Sequence, residues 1–321
     1  MAVFTHVGAE DIALFLDRYG VGPLISVKGI AEGVENSNYL IDARGGRYIL
    51  TLYEKRVDAD DLPYFITLID HLAAAGNPVP RILPDLMGHS IQQLAGKAAC
   101  LIQFLPGVSV SRPTSRQTHS AGAALARLHL SAADFSEGPD NALSLHGWRT
   151  LIDTMGDALD SIMPGLLEEV SREWDFVNAN WPGHLPRGVI HADMFPDNVL
   201  MTGEDVTGII DFYFSCRDII AYDFAVTHGA WCFSPNGSFA MPELLAALAK
   251  GYQSVRPLSA DERDALPILA RGASLRFLLT RALDWIETPA DALVTRKDPL
   301  PYLRRLHAYQ SANPREIFGY E

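Results

Sequence analysis

The stretch VIHADMFPDNVL, residues Val189–Leu200, places a polar loop between two short apolar strands. The loop carries Asp193 and Asn198, and a second apolar run at 207–210 ends directly before Asp211. Carboxylate and amide oxygens are the ligands that Mg²⁺ prefers. Phosphoryl transfer combines such a metal with a carboxylate that accepts the proton of the attacking hydroxyl. The pattern therefore indicates a cleft with oxygen donors, and it is compatible with metal-dependent phosphoryl transfer.

The spacing of apolar residues changes once along the chain, from mostly strand-like before Gly107 to helix-like after it. Before Gly107 the pattern predicts strands at 24–30, 37–41, 47–53 and 91–105, with helices at 11–19 and 58–75. After Gly107 it predicts helices at 118–133, 151–163, 166–180, 221–231, 242–252, 259–283 and 300–311. The sequence thus predicts an α+β, bilobal fold with a β-rich N-lobe (1–103), a mostly helical C-lobe (104–321) and a cleft between them.

Composition excludes several classes of protein. The chain has 321 residues, 48% of them hydrophobic, which is enough for a large core. Its net charge of −13 opposes binding to a nucleic-acid backbone. We expect a cytoplasmic protein that does not bind membranes, because no signal core and no run of about 20 apolar residues is present. Three scattered cysteines predict neither a disulfide framework nor a metal site, and the oligomeric state is left open.

The spacing His191-x-Asp193-x₄-Asn198, followed by Ile-Asp211-Phe, resembles the aminoglycoside phosphotransferase and choline kinase superfamily. That likeness implies a protein-kinase-like fold, ATP and Mg²⁺ as cofactors, and a small-molecule hydroxyl as acceptor. Within the superfamily, the segments at 195–198, 210–216 and 231–233 look like those of its homoserine kinases. This closer resemblance implies phosphorylation of the L-homoserine side chain, a step toward threonine.

The resemblance also implies roles for the residues of the motif. Asp193 would accept the hydroxyl proton, with His191 bracing the catalytic loop beside it. Asn198 and Asp211 would hold Mg²⁺ on the phosphates. Asp223, at the start of a predicted helix, would support the loop by accepting N–H bonds there.

Nucleotide and substrate contacts follow from the same likeness. The N-lobe would bind the nucleotide, with phosphates covered by a turn and adenine held by the hinge: Gly33, Ser37 and Asn38, then Gln103, Phe104 and Leu105. The C-lobe would bind the substrate beside the catalytic motifs, for which we name Asp197, Arg217, Tyr213 and Trp231. Arg217 would pair with the substrate carboxylate and Asp197 with its ammonium group.

One departure from the superfamily concerns the cation that usually holds the ATP phosphates. Thr51 stands where a Lys or Arg is expected on the N-lobe strand, and Phe65 stands where its partner Glu is expected. Loss of both partners together keeps the buried charge balanced. Lys55, Arg56 and Arg47 are nearby alternatives, and spacing does not choose among them.

Two other functions remain open at this point. The acidic chain is compatible with a kinase for another small alcohol, such as choline, a sugar or an aminoglycoside. A nucleotide-binding pseudokinase is the alternative from outside the enzymes. Thr51 favours it slightly, whereas the intact Asp193, Asn198 and Asp211 oppose it.

Overall fold

The computed structural model describes residues 5–30, 36–54, 59–288 and 296–320, and the chain forms two compact units. The first unit combines the described part of Met1–Pro106 with the short segment Gly208–Tyr213. The second combines Gly107–Thr207 with Phe214–Glu321. The segment that holds Asp211 thus groups with the first unit, although the predicted boundary assigned it to the C-lobe. The division of functions at residue 103 stays a prediction.

The first unit is built on an antiparallel sheet. Its strands are β1 (Leu24–Gly29), β2 (Ser37–Ala43), β3 (Gly46–Leu52), β4 (Ile82–Leu83), β5 (Gln92–Leu94) and β6 (Lys97–Gln103). They lie in the order β1-β2-β3-β6-β4, with β5 paired to β6. Every second residue of β2 is buried, the pattern of a strand with one face on a core.

Two helices cover the faces of this sheet. Helix α1 (Ala9–Leu16) packs Ile12 and Phe15 against Tyr39 and Ile41 of β2. Helix α2 (Leu62–Ala74) belongs to a second cluster, formed by Tyr53, Leu62, Phe65, Ile82 and Cys100. Phe65 is therefore a core residue of the first unit, which explains why an apolar side chain suits that position.

The second unit is mostly helical. Its helices are α3 (Ser115–Ser131), α4 (Leu145–Met155), α5 (Leu166–Asn180), α6 (Ile220–Trp231), α7 (Pro242–Gln253), α8 (Ala260–Glu287), α9 (Leu300–Ser311) and α10 (Pro314–Ile317). Four short strands pair two by two: β7 (Arg187–Ile190) with β10 (Cys216–Ile219), and β8 (Val199–Thr202) with β9 (Asp205–Ile209). Capping boxes at Thr114 and Ser259 fix the starts of α3 and α8.

The predicted class, α+β with a β-rich start and a mostly helical remainder, is confirmed. The helices predicted at 166–180 and 300–311 match α5 and α9 to the residue. The helix predicted at 151–163 was wrong in its bounds: α4 starts at Leu145, and Gly156 ends it with a positive φ of 46°. No helix in the described ranges has the length and apolar character needed to cross a membrane.

Candidate active site

The catalytic loop leaves β7 at Ile190 and reaches β8 through one 3₁₀ turn, Pro196–Asn198. This turn brings Asn198 back onto Asp193. The Asn198 Nδ2 donates to the Asp193 carbonyl at 2.8 Å and to Asp193 Oδ2 at 2.9 Å. Both side chains are half-buried, so the pair has a fixed geometry and remains accessible. These contacts hold the Asp193 carboxylate in one orientation.

Asp223 holds the backbone of the catalytic loop through hydrogen bonds. Its carboxylate accepts the N–H of His191 at 2.7 Å and the N–H of Ala192 at 2.8 Å, and it contacts His129 Nε2 at 3.0 Å. The residue lies in the first turn of α6 and is fully buried. Burial by itself raises the pKa of Asp223, but the hydrogen bonds and electrostatic attraction from His129 and His191 outweigh it, so the pKa lies below its ordinary value. Asp223 is therefore a buried carboxylate with a full set of partners.

His191 itself is buried and belongs to this support. Its Nδ1 accepts the N–H of Asp193 at 3.2 Å. The neighbouring Ala192 has a φ of +63°, a left-handed conformation that costs a non-glycine residue on the order of 1 kcal/mol. The loop therefore turns sharply just before Asp193, and the surrounding hydrogen bonds maintain the turn.

Two further parts of this support are absent from the sequence prediction. Arg276 of α8 donates from Nη1 to the Ala192 carbonyl at 2.7 Å, so the strained peptide is held on its oxygen side as well. His129 of α3 joins Asp223, at 3.0 Å from Nε2, to the Tyr252 hydroxyl, at 2.8 Å from Nδ1. Neither contact has a local signal, because each depends on how distant helices pack.

We expect Asp223→Asn to lower the free energy of unfolding by about 3–5 kcal/mol, because an amide would turn an N–H toward donors that now meet a carboxylate. Denaturant unfolding at neutral pH measures the loss. Asp157→Asn, at an exposed position, is the control and should change stability little. Since the folded pKa of Asp223 is lowered, its contribution is present at neutral pH and disappears as the pH falls through that pKa. A difference between variant and parent that grows on acidification would contradict this assignment.

Three of the residues named for substrate contact have other partners in the structure. The Trp231 indole is buried and donates from Nε1 to the Met194 carbonyl at 2.8 Å, a contact that supports the loop. Arg217 of β10 donates from Nη1 to the Ser136 carbonyl at 2.7 Å. Asp197 is exposed, and its carboxylate lies 3.7 Å from Lys297 Nζ. These contacts weaken the predictions that Trp231 and Arg217 bind the substrate, and substrate contacts of Trp231, Arg217 and Asp197 stay predictions.

In the first unit, Asp211 follows β9 and has a φ of +66°. Tyr213, in the same segment, contacts the core of the first unit: its hydroxyl lies 3.1 Å from that of Tyr53. The Tyr213 ring also meets Phe65 edge to face, with centroids 5.6 Å apart. Tyr213 thus positions the turn that carries Asp211, and a substrate contact of its own stays a prediction.

The predicted phosphate-covering turn is described only in part. Gly33 lies outside the described residues. Ser37 is fully buried; its hydroxyl donates to Glu54 at 2.8 Å and accepts the N–H of Thr5 at 3.0 Å. This engaged proton weakens the prediction that the Ser37 hydroxyl donates to a phosphate, and that role stays a prediction.

Thr51 stands at the position of β3 where the resemblance predicts a Lys or Arg. It is buried, and its hydroxyl donates to Asn38 Oδ1 at 2.7 Å. This neutral pair joins adjacent positions of β2 and β3 and needs no counter-charge. Lys55 and Arg56 lie outside the described residues. An ion pair that the sequence did not reveal, Lys97 with Glu54 at 3.0 Å, joins the start of β6 to the chain after β3.

The predicted hinge residues lie at the end of β6: Gln103 is the last residue of the strand, and Phe104 and Leu105 follow it. The N–H of Gln103 donates to the Arg81 carbonyl at 2.8 Å, and its side-chain oxygen accepts the N–H of Arg81. The Phe104 ring lies 6.0 Å from the Arg47 guanidinium. Because the Gln103 N–H is engaged, the backbone groups suited to a purine edge are those of Phe104 and Leu105.

The donor chemistry fits Mg²⁺. The amide nitrogen of Asn198 is used by Asp193, so the carboxamide oxygen points away from that carboxylate, and no hydrogen bond to this oxygen is present within the described ranges. A hard oxygen held in this way is a suitable metal ligand. Asp211 supplies a carboxylate from a separate turn.

Comparison with known proteins gives concordant results. The model of the phosphotransferase enzyme family matches residues 26–258. The chain is 50% identical to the homoserine kinase of Xanthobacter autotrophicus, with 99% of both chains covered, and 50% identical to that of Acidiphilium cryptum, with 99% and 100% covered. An amicoumacin kinase, solved in complex with AMP-PNP and Ca²⁺, superposes with a TM-score of 0.70 at 14% identity over 98% of this chain and 96% of its own. This likeness confirms the protein-kinase-like fold. The chain therefore belongs to the phosphotransferase enzyme family.

Proposed function

We propose that the protein transfers the γ-phosphoryl group of ATP to the side-chain hydroxyl of L-homoserine. The observation that carries this proposal is full-length identity of about half to homoserine kinases, together with a catalytic loop in which Asp193 is oriented by Asn198. As a member of a phosphotransferase family, the chain is an ATP-dependent small-molecule kinase. We propose that it is cytoplasmic, where ATP is available, and its net charge of −13 opposes binding to the like-charged nucleic-acid backbone.

The chain's own residues supply the proton acceptor. The Asp193 carboxylate takes the proton of the homoserine hydroxyl as that oxygen attacks phosphorus. Asn198 fixes the carboxylate, and His191, Asp223 and Arg276 fix the backbone that carries it. Catalysis by positioning suits phosphoryl transfer, because its barrier responds chiefly to alignment and electrostatics.

We propose that Asn198 and Asp211 hold Mg²⁺, which when bound neutralises charge on the phosphates. The nucleotide would be bound by residues 1–103, and the substrate by residues 104–321. Phe104 and Leu105 would offer backbone groups to adenine, with Gln103 holding the strand end beneath them. Backbone N–H groups near Asn38 would face the phosphates in place of the Ser37 hydroxyl.

The direct test measures ADP release with a panel of acceptors: L-homoserine, choline, a sugar alcohol and an aminoglycoside. We expect homoserine to give a kcat/KM at least about 100-fold above the others, a difference of roughly 2.7 kcal/mol in transition-state binding. Equal rates with all acceptors would reject homoserine as the substrate. ADP release with none of them would favour a nucleotide-binding protein without kinase activity.

A further inference from the structure

Arg305, in the middle of α9, is a buried guanidinium without an oxygen partner. It is 6% exposed, and its Nε is fully buried with no hydrogen bond. Within the described ranges the guanidinium makes neither a hydrogen bond nor an ion pair, and its contacts are the rings of Tyr302 and Phe233. Burying a charge in this way is costly unless an opposite charge arrives.

One buried and two half-buried arginines of the second unit show how unusual this is. Arg256 pairs with Glu262 at 2.7 Å, and Arg271 pairs with Glu173 at 2.6 Å. Arg276 donates to the Ala192 carbonyl at 2.7 Å. Each of these three side chains meets an oxygen supplied by the fold, whereas Arg305 does not.

Tyr302 adds a second unsatisfied donor at the same place. It lies three residues before Arg305, on the same face of α9, and the guanidinium carbon is 4.3 Å from the centre of its ring. Its hydroxyl is buried without a hydrogen bond, in a side chain that is 1% exposed. Burial raises the pKa of this hydroxyl, against the opposing effect of Arg305, so the phenol stays protonated and can donate.

This pair of donors lies next to the catalytic loop. The ring of Phe195, two residues after Asp193, is 6.5 Å from the ring of Tyr302. Phe277 links the same two residues, at 4.9 Å from Phe195 and 5.1 Å from Tyr302. A small ligand that meets Arg305 and Tyr302 would therefore be close to Asp193.

We propose that Arg305 and Tyr302 form the site for the substrate's carboxylate. This inference rests on the proposed function, since it concerns a substrate that is a zwitterionic amino-acid alcohol. A guanidinium stacked on an aromatic ring leaves its N–H edge for an in-plane acceptor, and its planar fork matches a carboxylate. Arg217, the cation that the sequence suggested for this task, is engaged with the Ser136 carbonyl.

The test compares binding of L-homoserine with binding of its primary amide, L-homoserinamide, which lacks the negative charge. Dissociation constants are measured by calorimetry for the parent, Arg305→Met and a matched control, Arg304→Met. Arg304 is the neighbouring residue on α9 and donates to the Asn236 carbonyl. We expect Arg305→Met to weaken homoserine binding about 100-fold, homoserinamide binding less than about threefold, and nucleotide binding not at all. Arg304→Met should leave all three within about threefold.

Each other result has a distinct meaning. An equal loss of homoserine and homoserinamide binding in Arg305→Met would show a structural role and overturn the proposal. The proposal is also overturned if the parent phosphorylates homoserine but Arg305→Met binds homoserine as well as the parent does. A parent that binds neither compound would instead reject the proposed function. If Arg305→Met does not fold, Arg305→Lys and Tyr302→Phe replace it: the proposal expects each to weaken homoserine selectively, by about tenfold, and equal weakening of both compounds overturns it.

Discussion

The Asp193→Asn enzyme is expected to lose turnover by a factor on the order of 10²–10⁴ while it binds ATP almost as well as the parent. The amide keeps the size of the side chain but cannot accept the hydroxyl proton. Asn198 donates to Asp193 Oδ2, so the change leaves the surroundings of the loop largely in place. Steady-state kinetics gives the loss in kcat, and nucleotide titration gives the affinity.

A matched control for this change lies in the same loop. Asp197→Asn removes an exposed carboxylate, paired at 3.7 Å with Lys297; because its predicted contact is to the substrate ammonium group, its effect should fall on KM, and kcat should change by less than about tenfold. A loss in Asp197→Asn as large as that in Asp193→Asn would mean that the proton acceptor has been misassigned. Retention of more than a tenth of the parent turnover by Asp193→Asn would mean the same.

The Asp211→Asn enzyme is expected to lose both turnover and Mg²⁺-dependent nucleotide binding. A neutral amide is a weaker ligand for Mg²⁺ than a carboxylate. We expect at least a tenfold loss of affinity, about 1.4 kcal/mol, when Mg²⁺ is present, and little loss when it is absent. Titrations of ATP at several Mg²⁺ concentrations provide the measurement, with Asp205→Asn, an exposed position on β9, as the control.

We expect the neutral pair of Thr51 and Asn38 to make ATP binding depend more strongly on Mg²⁺. Because no lysine stands at the Thr51 position of β3, the metal is the main cation proposed for the phosphates. ATP affinity in the parent should therefore fall steeply when Mg²⁺ is removed. Equal nucleotide affinity with and without Mg²⁺ would contradict both the metal role of Asp211 and this account of Thr51.

The parts of the site that are close in sequence were predictable. Asp193 and Asn198 lie in one loop, and short apolar runs defined the strands on both sides. The resemblance to the superfamily also located the missing cation at Thr51, because a strand position can be matched along the chain without knowledge of distant contacts. These predictions needed only local patterns.

The remaining parts depend on tertiary packing. Arg276 is 84 residues from the carbonyl that it holds, and Tyr252 is 123 residues from His129. Both lie on long helices whose apolar positions predict burial but do not predict partners. The partner of Ser37 was not predictable for the same reason, since its position beside a predicted turn does not reveal that Glu54 takes its proton.

The central claim is that the γ-phosphoryl group of ATP is transferred to the side-chain oxygen of homoserine. The measurement that tests it most directly is ³¹P nuclear magnetic resonance of the product formed from ATP and L-homoserine, with phosphorus-proton correlation. The account predicts a phosphate monoester whose phosphorus couples to the two protons of the hydroxyl-bearing carbon. Phosphorus found on the carboxylate, or ADP accompanied only by inorganic phosphate, would contradict it.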